Sequence, residues 1–231
     1  MGAAGYTALH ESAAWLDLST RGKIRVTGED RARLLHAMLS NAVQTLQPGQ
    51  GNYHFLLNAQ GRILADANLY VFADSILLDL EPELTARVYE HLDHYIIADD
   101  VQLENVTEKL ATIALEGPRA DQIAGVTVPA EAGSHIDFEG MIVARTAATG
   151  QPGLWFFLDP ARAGDLIHRL EQAGAVAATA EEARVVRVEN GIPRYGDDFG
   201  DTTLPQETEQ ARALSFTKGC YLGQEIVERI R

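Results

Sequence analysis

Two short stretches 89 residues apart repeat one pattern, and that repetition limits the architecture more than any other feature. In "GKIRVTG", residues 22–28, side chains alternate as in a half-buried strand and Gly28 offers a turn. The following "EDRARLLHAML", 29–39, sets Ala32, Leu35, Ala37 and Leu39 near one helical face. Ile113, Leu115 and Gly117 then stand where Ile24, Val26 and Gly28 stood, and Pro118 opens the next helix at a favoured first-turn position. Strand, glycine turn and helix, written twice, predict a degenerate internal duplication.

The remaining segments decide how the strands pair. "GNYHFLLNAQGRILADANLYVFADSILLDLEPE" predicts a β-meander with turns at 58–61 and 73–75, where Asn and Gly supply the turn chemistry. A helix is expected from Pro82 to about Tyr95, and "IIADDVQLENV" extends again. From 135, strands run through "SHIDFEGMIVART" and "GLWFFLD", joined by "ATGQPG". Asp159 caps and Pro160 opens a helix over "PARAGDLIHRLEQAG". Because the strands come as neighbouring hairpins rather than singly between helices, the class expected is α+β and not a doubly wound parallel sheet. No low-complexity linker interrupts the chain, so two intimately packed lobes are expected, with a border near 112/113.

Charge and cysteine count narrow the chemistry. Nineteen Lys and Arg against thirty-three Asp and Glu give a net charge of −14, which repels nucleic-acid backbones. One cysteine, Cys220, cannot form an internal disulfide, and with no C-x-x-C pair the chain alone cannot house zinc or an iron–sulfur cluster. No apolar run reaches the roughly 18 residues of a membrane span. His10, Glu11 and Asp17 interrupt the start "MGAAGYTALHESAAWLDLST" before a signal-peptide core can form, so a cytoplasmic location is expected.

Three places carry candidate chemistry. The helix "TAEEARVVRVENG", 179–191, has a capping box in Thr179 and Glu182 and a stop at Gly191. At about 100° per residue, Glu189 falls between Val185 and Val186, flanked by Val188 and Ala183, with Arg184 and Arg187 turned away. That places a carboxylate on an apolar stripe, where it needs donors: either an arginine of the same chain, or two planar N–H groups of a heterocycle such as the amino-pyrimidinone edge of a pterin. Asp66, in a strand after a turn, reads equally as a solvated edge residue and as a functional acid. Cys220 lies in K-G-C-Y-L-G between Lys218 and a helix that can start behind Gly223, both able to favour a thiolate; the alternative is a small buried filler. His91 and His94, near Asp93, Asp99 and Asp100, read as a solvated helix face with no third ligand specified, so no metal site is assigned.

The pattern E-x-G-I-P-x-x-G-x-D, then L-P-Q-E, then K-G-C-Y-x-G-Q-E resembles the signature of YgfZ-type proteins, folate-binding relatives of the glycine-cleavage aminomethyltransferase. "DLSTRGKIRVTGEDRARLLHAMLSN", "LQPGQGNYHFLLNAQGRILAD" and "YIIADDVQLENV" are similar to the N-terminal half of the same family. The resemblance implies a GcvT-like folate-binding fold built from two or three packed α+β subdomains with mostly antiparallel sheets. Its N-terminal half would take in 1–112 and its second half 113–231, ending at the cysteine motif, without the family's C-terminal β domain.

The resemblance also implies roles. Glu189 would hold the pterin ring of tetrahydrofolate or a related reduced folate, and Asp66 would lie at its reacting edge. Lys218, Cys220 and Tyr221 would form a surface for redox or partner chemistry; Arg194 is a candidate for the folate's glutamate tail from its place in the loop alone, with Tyr195 beside it as a further cofactor-binding candidate. Where the aminomethyltransferases carry an Asp-Asp pair, this chain reads Ala65-Asp66, which weighs against efficient aminomethyl transfer. The leading expectation is therefore a folate-binding accessory protein for iron–sulfur client or carrier proteins, and the alternative a tetrahydrofolate-dependent aminomethyl or methyl transferase.

Overall fold

The computed structural model of the chain describes residues 4–230. Along it run α1 (Ala4–Glu11), β1 (Ala14–Asp17), β2 (Gly22–Thr27), α2 (Arg31–Met38), β3 (Gly51–Leu57), β4 (Ile63–Val71), β5 (Ile76–Leu80), α3 (Thr85–His94) and β6 (Gln102–Asn105). There follow β7 (Ala111–Glu116), α4 (Ala120–Ala124), β8 (His135–Phe138), β9 (Met141–Arg145), β10 (Gly153–Leu158), α5 (Ala163–Gln172), β11 (Val176–Ala177), α6 (Ala180–Glu189) and α7 (Gln224–Arg229). This is the α+β class expected from the sequence.

The chain divides into two compact units. Among the described residues, one takes those up to Thr20 and Thr107–Pro193, the other Arg21–Val106 and those from Arg194 on. Each unit is therefore entered twice instead of being completed before the next begins.

In the first unit the strand order is β11-β1-β7-β10-β9-β8, antiparallel except for the short β1–β11 pairing. Ile113, Leu115, Leu154, Phe156 and Leu158 enter its core, where Leu166 and Leu170 of α5 meet them. The second unit holds β3-β4-β5-β2-β6, antiparallel throughout. Ile24 and Val26 of β2 pack there with Leu35 of α2, Phe55 and Leu57 of β3, and Leu69 and Leu78. The two strand–turn–helix repeats, β2 to α2 and β7 to α4, fall one in each unit. Both turns pass through a glycine with positive φ, Gly28 at 97° and Gly117 at 134°. A side chain at either would run into backbone, the Asp100 carbonyl oxygen at 2.0 Å or the Ser12 carbonyl oxygen at 2.6 Å.

Local signals fall where the sequence puts them. The turn at 58–61 closes with the Gly61 amide donating to the Asn58 carbonyl at 2.9 Å, and the Asp159 side chain accepts from the Ala161 amide at 2.8 Å. Thr179 and Glu182 form the full capping box of α6. The expected extension of "IIADDVQLENV" is realised only over β6. No described helix is long and apolar enough to cross a membrane.

The face of α6 differs from the expectation. Val186 and Arg187 are its buried residues, whereas Val185 and Val188 are 38% and 56% exposed and Glu189 is exposed too. Counting apolar letters placed the stripe on the valines, but packing chose the neighbouring arc. Ala183 and Val186 meet Ala8 and Leu9 of α1, and the Arg187 guanidinium turns inward to donate to the Ile192 carbonyl at 2.6 Å, capping the helix end.

Candidate functional site

Asp66 stands in the middle of β4, opposite Phe55 of β3. Successive strand residues face opposite ways, so Ala65 enters the core, 1% exposed, while Asp66 lies on the other face. An acid at 65 would not share the face of Asp66. The Ala65-Asp66 departure therefore says less about chemistry at Asp66 than the linear sequence suggested.

The Tyr53 hydroxyl, reaching diagonally across the β3–β4 hairpin, donates to Asp66 Oδ2 at 2.7 Å. The Arg212 guanidinium covers the Tyr53 ring, 4.6 Å from its centre. Asp66 Oδ1 is sealed from solvent and has no hydrogen-bond partner among the described residues. Burial pushes the carboxyl up to about 6; the Tyr53 hydrogen bond works against that shift, and the charge of Glu81 adds to it. A carboxyl poised there can hold or release a proton close to neutral pH.

Lys218 and Tyr221 are not displayed as a surface beside Cys220. The Lys218 ammonium points into the second unit, where it donates to the carbonyls of His36, Leu39 (2.5 Å) and Asn41 (3.0 Å) at the C-terminal end of α2. Its fourth neighbour is the Tyr221 ring, 4.7 Å from Nζ to the centroid. Three acceptors take up the three donors of an ammonium, and a cation there complements the negative end of the helix. Burial alone brings Lys218 down to about 7. Tyr221 is buried, its hydroxyl has no hydrogen-bond partner among the described residues, and burial pushes it up to about 12. Cys220, by contrast, is a free and exposed thiol. The motif thus works as an anchor, Lys218 and Tyr221, that mounts one outward-facing cysteine.

That motif meets the "LNAQGRILAD" stretch at a close joint. The 58–61 turn lies against the head of α7, with Gly61 facing Ile226 and Gly223 facing the Asn58 carbonyl.

Arg194 and Tyr195 are occupied within the fold. The Arg194 guanidinium is surrounded by Glu81 at 2.7 Å, Glu83 at 3.3 Å and Asp197 at 3.4 Å, which leaves little capacity for a ligand's anionic tail. Glu81 in turn receives Arg21, which also grips Asp79 at 2.8 Å. Tyr195 is buried; its hydroxyl donates to Asp201 and accepts from Arg87 at 3.0 Å, while Arg87 pairs with both Asp201 oxygens at 2.7 Å.

Glu189, at the end of α6 in the first unit, is held neither by an arginine nor within an apolar stripe. The Tyr6 hydroxyl donates to its Oε1 at 2.9 Å, and His10 Nε2 lies 3.0 Å from its Oε2. Its side chain is 43% exposed.

Sequence reading missed Tyr53, Tyr6 and His10. Carrying the hairpin register across the 58–61 turn would have set Tyr53 beside Asp66, and the one-turn spacing in "YTALH" marks Tyr6 and His10 as sharing a helix face. It also missed Glu116, whose buried carboxylate accepts from the Ala148 and Thr149 amides, the Thr149 hydroxyl and the Trp155 indole at 2.5–2.9 Å. Among the described residues no group of three or more His, Cys, Asp or Glu is placed to hold a metal ion.

Comparison with known proteins adds kinship to this geometry. Residues 2–218 match the family described as the GCVT N-terminal domain. An aminomethyltransferase of Rubrobacter xylanophilus is 29% identical over 242 residues, covering 99% of this chain and 65% of that protein. One from Prosthecochloris aestuarii is 31% identical, covering 96% and 66%. The glycine cleavage system aminomethyltransferase T from Bartonella henselae shares the fold, with a TM-score of 0.87 at 21% identity over 99% of this chain and 66% of that one. The chain spans just under two thirds of the length of these relatives.

Proposed function

Because the chain belongs to the GCVT N-terminal domain family, we propose that it binds a reduced folate and serves in folate-dependent one-carbon transfer of the aminomethyl or methyl kind. The relatives named as aminomethyltransferases favour this reading over an accessory role in iron–sulfur assembly.

The single observation that carries it is Asp66 Oδ1, a buried carboxylate oxygen without a partner among the described residues. An unmet acceptor in a sealed position costs stability, and such groups are kept where a ligand supplies the missing donor. Tetrahydrofolate, when bound, supplies nucleophilic nitrogens that take up a one-carbon unit. Toward it, Asp66 holds or accepts a proton at Oδ1, with Tyr53 fixing the carboxyl through Oδ2. Independently, in the first unit, Glu189 is a candidate acceptor for two N–H donors of an amino-pyrimidinone edge. Each carboxylate is tested by itself.

Calorimetric titration with tetrahydrofolate is expected to show binding in the wild type and a loss of at least tenfold in Glu189→Gln. Incubation with tetrahydrofolate and an aminomethyl donor is expected to give turnover that Asp66→Asn abolishes while binding persists. Absence of folate binding in the wild type overturns the proposal; binding without turnover turns it toward the accessory role.

One observation favours that second reading, the finer kinship with YgfZ-type proteins. Cys220 is exposed on a loop anchored from beneath, suited to chemistry with an iron–sulfur client. Cys220→Ser separates the two: the transferase reading expects unchanged turnover, the accessory reading a loss of client activity with folate binding intact.

A further inference from the structure

We infer that α1 is the backing of the ligand-binding carboxylate, with Tyr6 and His10 as positioning residues that hold Glu189 so that one lone pair on each of its oxygens stays open to a ligand. The inference rests on the reading of Glu189 as the residue that receives the heterocycle's N–H edge.

The seating of α1 comes first. Ala8 and Leu9 pack on Val186 of α6, and Gly5 lies so close that a methyl group there would stand 2.6 Å from the Ala178 Cα. The Gly5 and Tyr6 amides, orphan donors of the first turn of α1, both give hydrogen bonds to Glu182 Oε1, at 3.1 and 3.3 Å. Glu182 Oε2 meanwhile completes the capping box of α6 with Thr179, so one carboxylate fixes the starts of both helices. Glu182 and Glu189 are seven residues apart, two turns along one face of α6. Since Gly5 meets Glu182 and His10 meets Glu189, the helices run in the same sense. The eight residues of α1 thus span from the first glutamate to the second.

Tyr6 and His10, four residues apart on α1, touch edge to face with ring centres 4.7 Å apart. Each gives a single contact to a different oxygen of Glu189. A carboxylate has about four lone-pair sites, two per oxygen, so two contacts leave one site on each oxygen. An arginine fork would have taken both oxygens in parallel and closed that edge. Two separate donors from one helix fix the carboxylate's rotation and leave open the acceptor pair that two parallel N–H donors need. Stability gives little reason for the arrangement, because exposed pairs of this kind contribute about 0–1 kcal/mol.

The test is calorimetric titration of the full chain with tetrahydrofolate, with thermal melting alongside. Tyr6→Phe and His10→Ala are each expected to weaken binding by roughly threefold to tenfold, the net value of one ordinary hydrogen bond. Melting temperature is expected to stay at the wild-type value. His10→Gln, whose amide nitrogen can donate to the same oxygen, is expected to restore near wild-type affinity. In a Glu189→Gln background the two α1 substitutions are expected to add nothing. Wild-type affinity in Tyr6→Phe and His10→Ala, with binding lost in Glu189→Gln, overturns the inference alone. Equal weakness of His10→Gln and His10→Ala also overturns it, since the hydrogen bond then does not carry the effect. Undiminished binding in Glu189→Gln, or none in the wild type, overturns the reading beneath it.

Discussion

Glu116 and Asp66 are both acids on the strands of a sheet, and their surroundings differ in kind. Glu116, at the end of β7, is completely buried, yet every side of its carboxylate is met by two amides, a hydroxyl and an indole. Asp66, in β4, has a side-chain donor in Tyr53 and one sealed oxygen with no partner among the described residues. The first closes the 147–151 loop over the sheet and has no capacity left for chemistry. The second is held in place by half a set of hydrogen bonds. Burial of an acid therefore does not by itself single out a candidate site in this protein; the incomplete set of partners is what makes Asp66 the one proposed.

The largest effect that tests this contrast is on folding. Glu116→Ala removes the acceptor that the Trp155 indole and the Ala148 and Thr149 amides share, and a loss of about 4 kcal/mol is expected in denaturant unfolding. A loss below about 1 kcal/mol would place Glu116 among dispensable acids and break the comparison.

Asp66→Asn should act in the opposite direction. The native carboxyl titrates at about 6, above its ordinary 3.8, so between those values the folded protein holds more protons than the unfolded chain. Stability from this group is accordingly greatest in acid, falls as pH rises through that window, and stays at the lower level above it. The asparagine variant lacks that fall and should be more stable than wild type at pH 7 by up to about 3 kcal/mol, at the expense of turnover. Unfolding curves between pH 4 and 8 measure both; a variant less stable than wild type at pH 7 contradicts the contrast.

The smallest expected effect sharpens it. Tyr53→Phe removes the one hydrogen bond that Asp66 receives from another side chain among the described residues, an interaction that holds its pKa down, so the stability step should move to a midpoint above 6 and about 1 kcal/mol should be lost. Carboxyl chemical shifts followed through a pH titration locate the midpoint directly.

The strands, turns and caps were legible because their signals are local: alternation in 22–27, Asn and Gly at 58–61, Thr179 with Glu182. The state of Glu189 was not, because its partners Tyr6 and His10 lie 183 and 179 residues away and packing on α1 selected Ala183, Val186 and Arg187 over the run of valines. Lys218 was read as a neighbour of the thiol, since two residues separate them in sequence. The carbonyls it grips belong to α2 and the residues after it, 177–182 positions earlier. Asp66 was legible as a candidate but not as a tuned acid, because its shift comes from burial, which a hydrogen bond from a cross-strand tyrosine offsets only in part. What could be read was whatever the chain decides within one turn; what could not was set by contacts closed across most of its length.

The two glycines at the 58–61 turn and the head of α7 bind separate signatures to a common fate. A methyl group at Gly223 would lie 2.5 Å from the Asn58 carbonyl oxygen, and one at Gly61 would lie 2.8 Å from Ile226 Cβ. Neither stretch can change its outline unless the other yields, so "LNAQGR" and "GCYLGQE" are inherited as lock and key, and a natural variant that alters one is expected to carry a compensating change in the other.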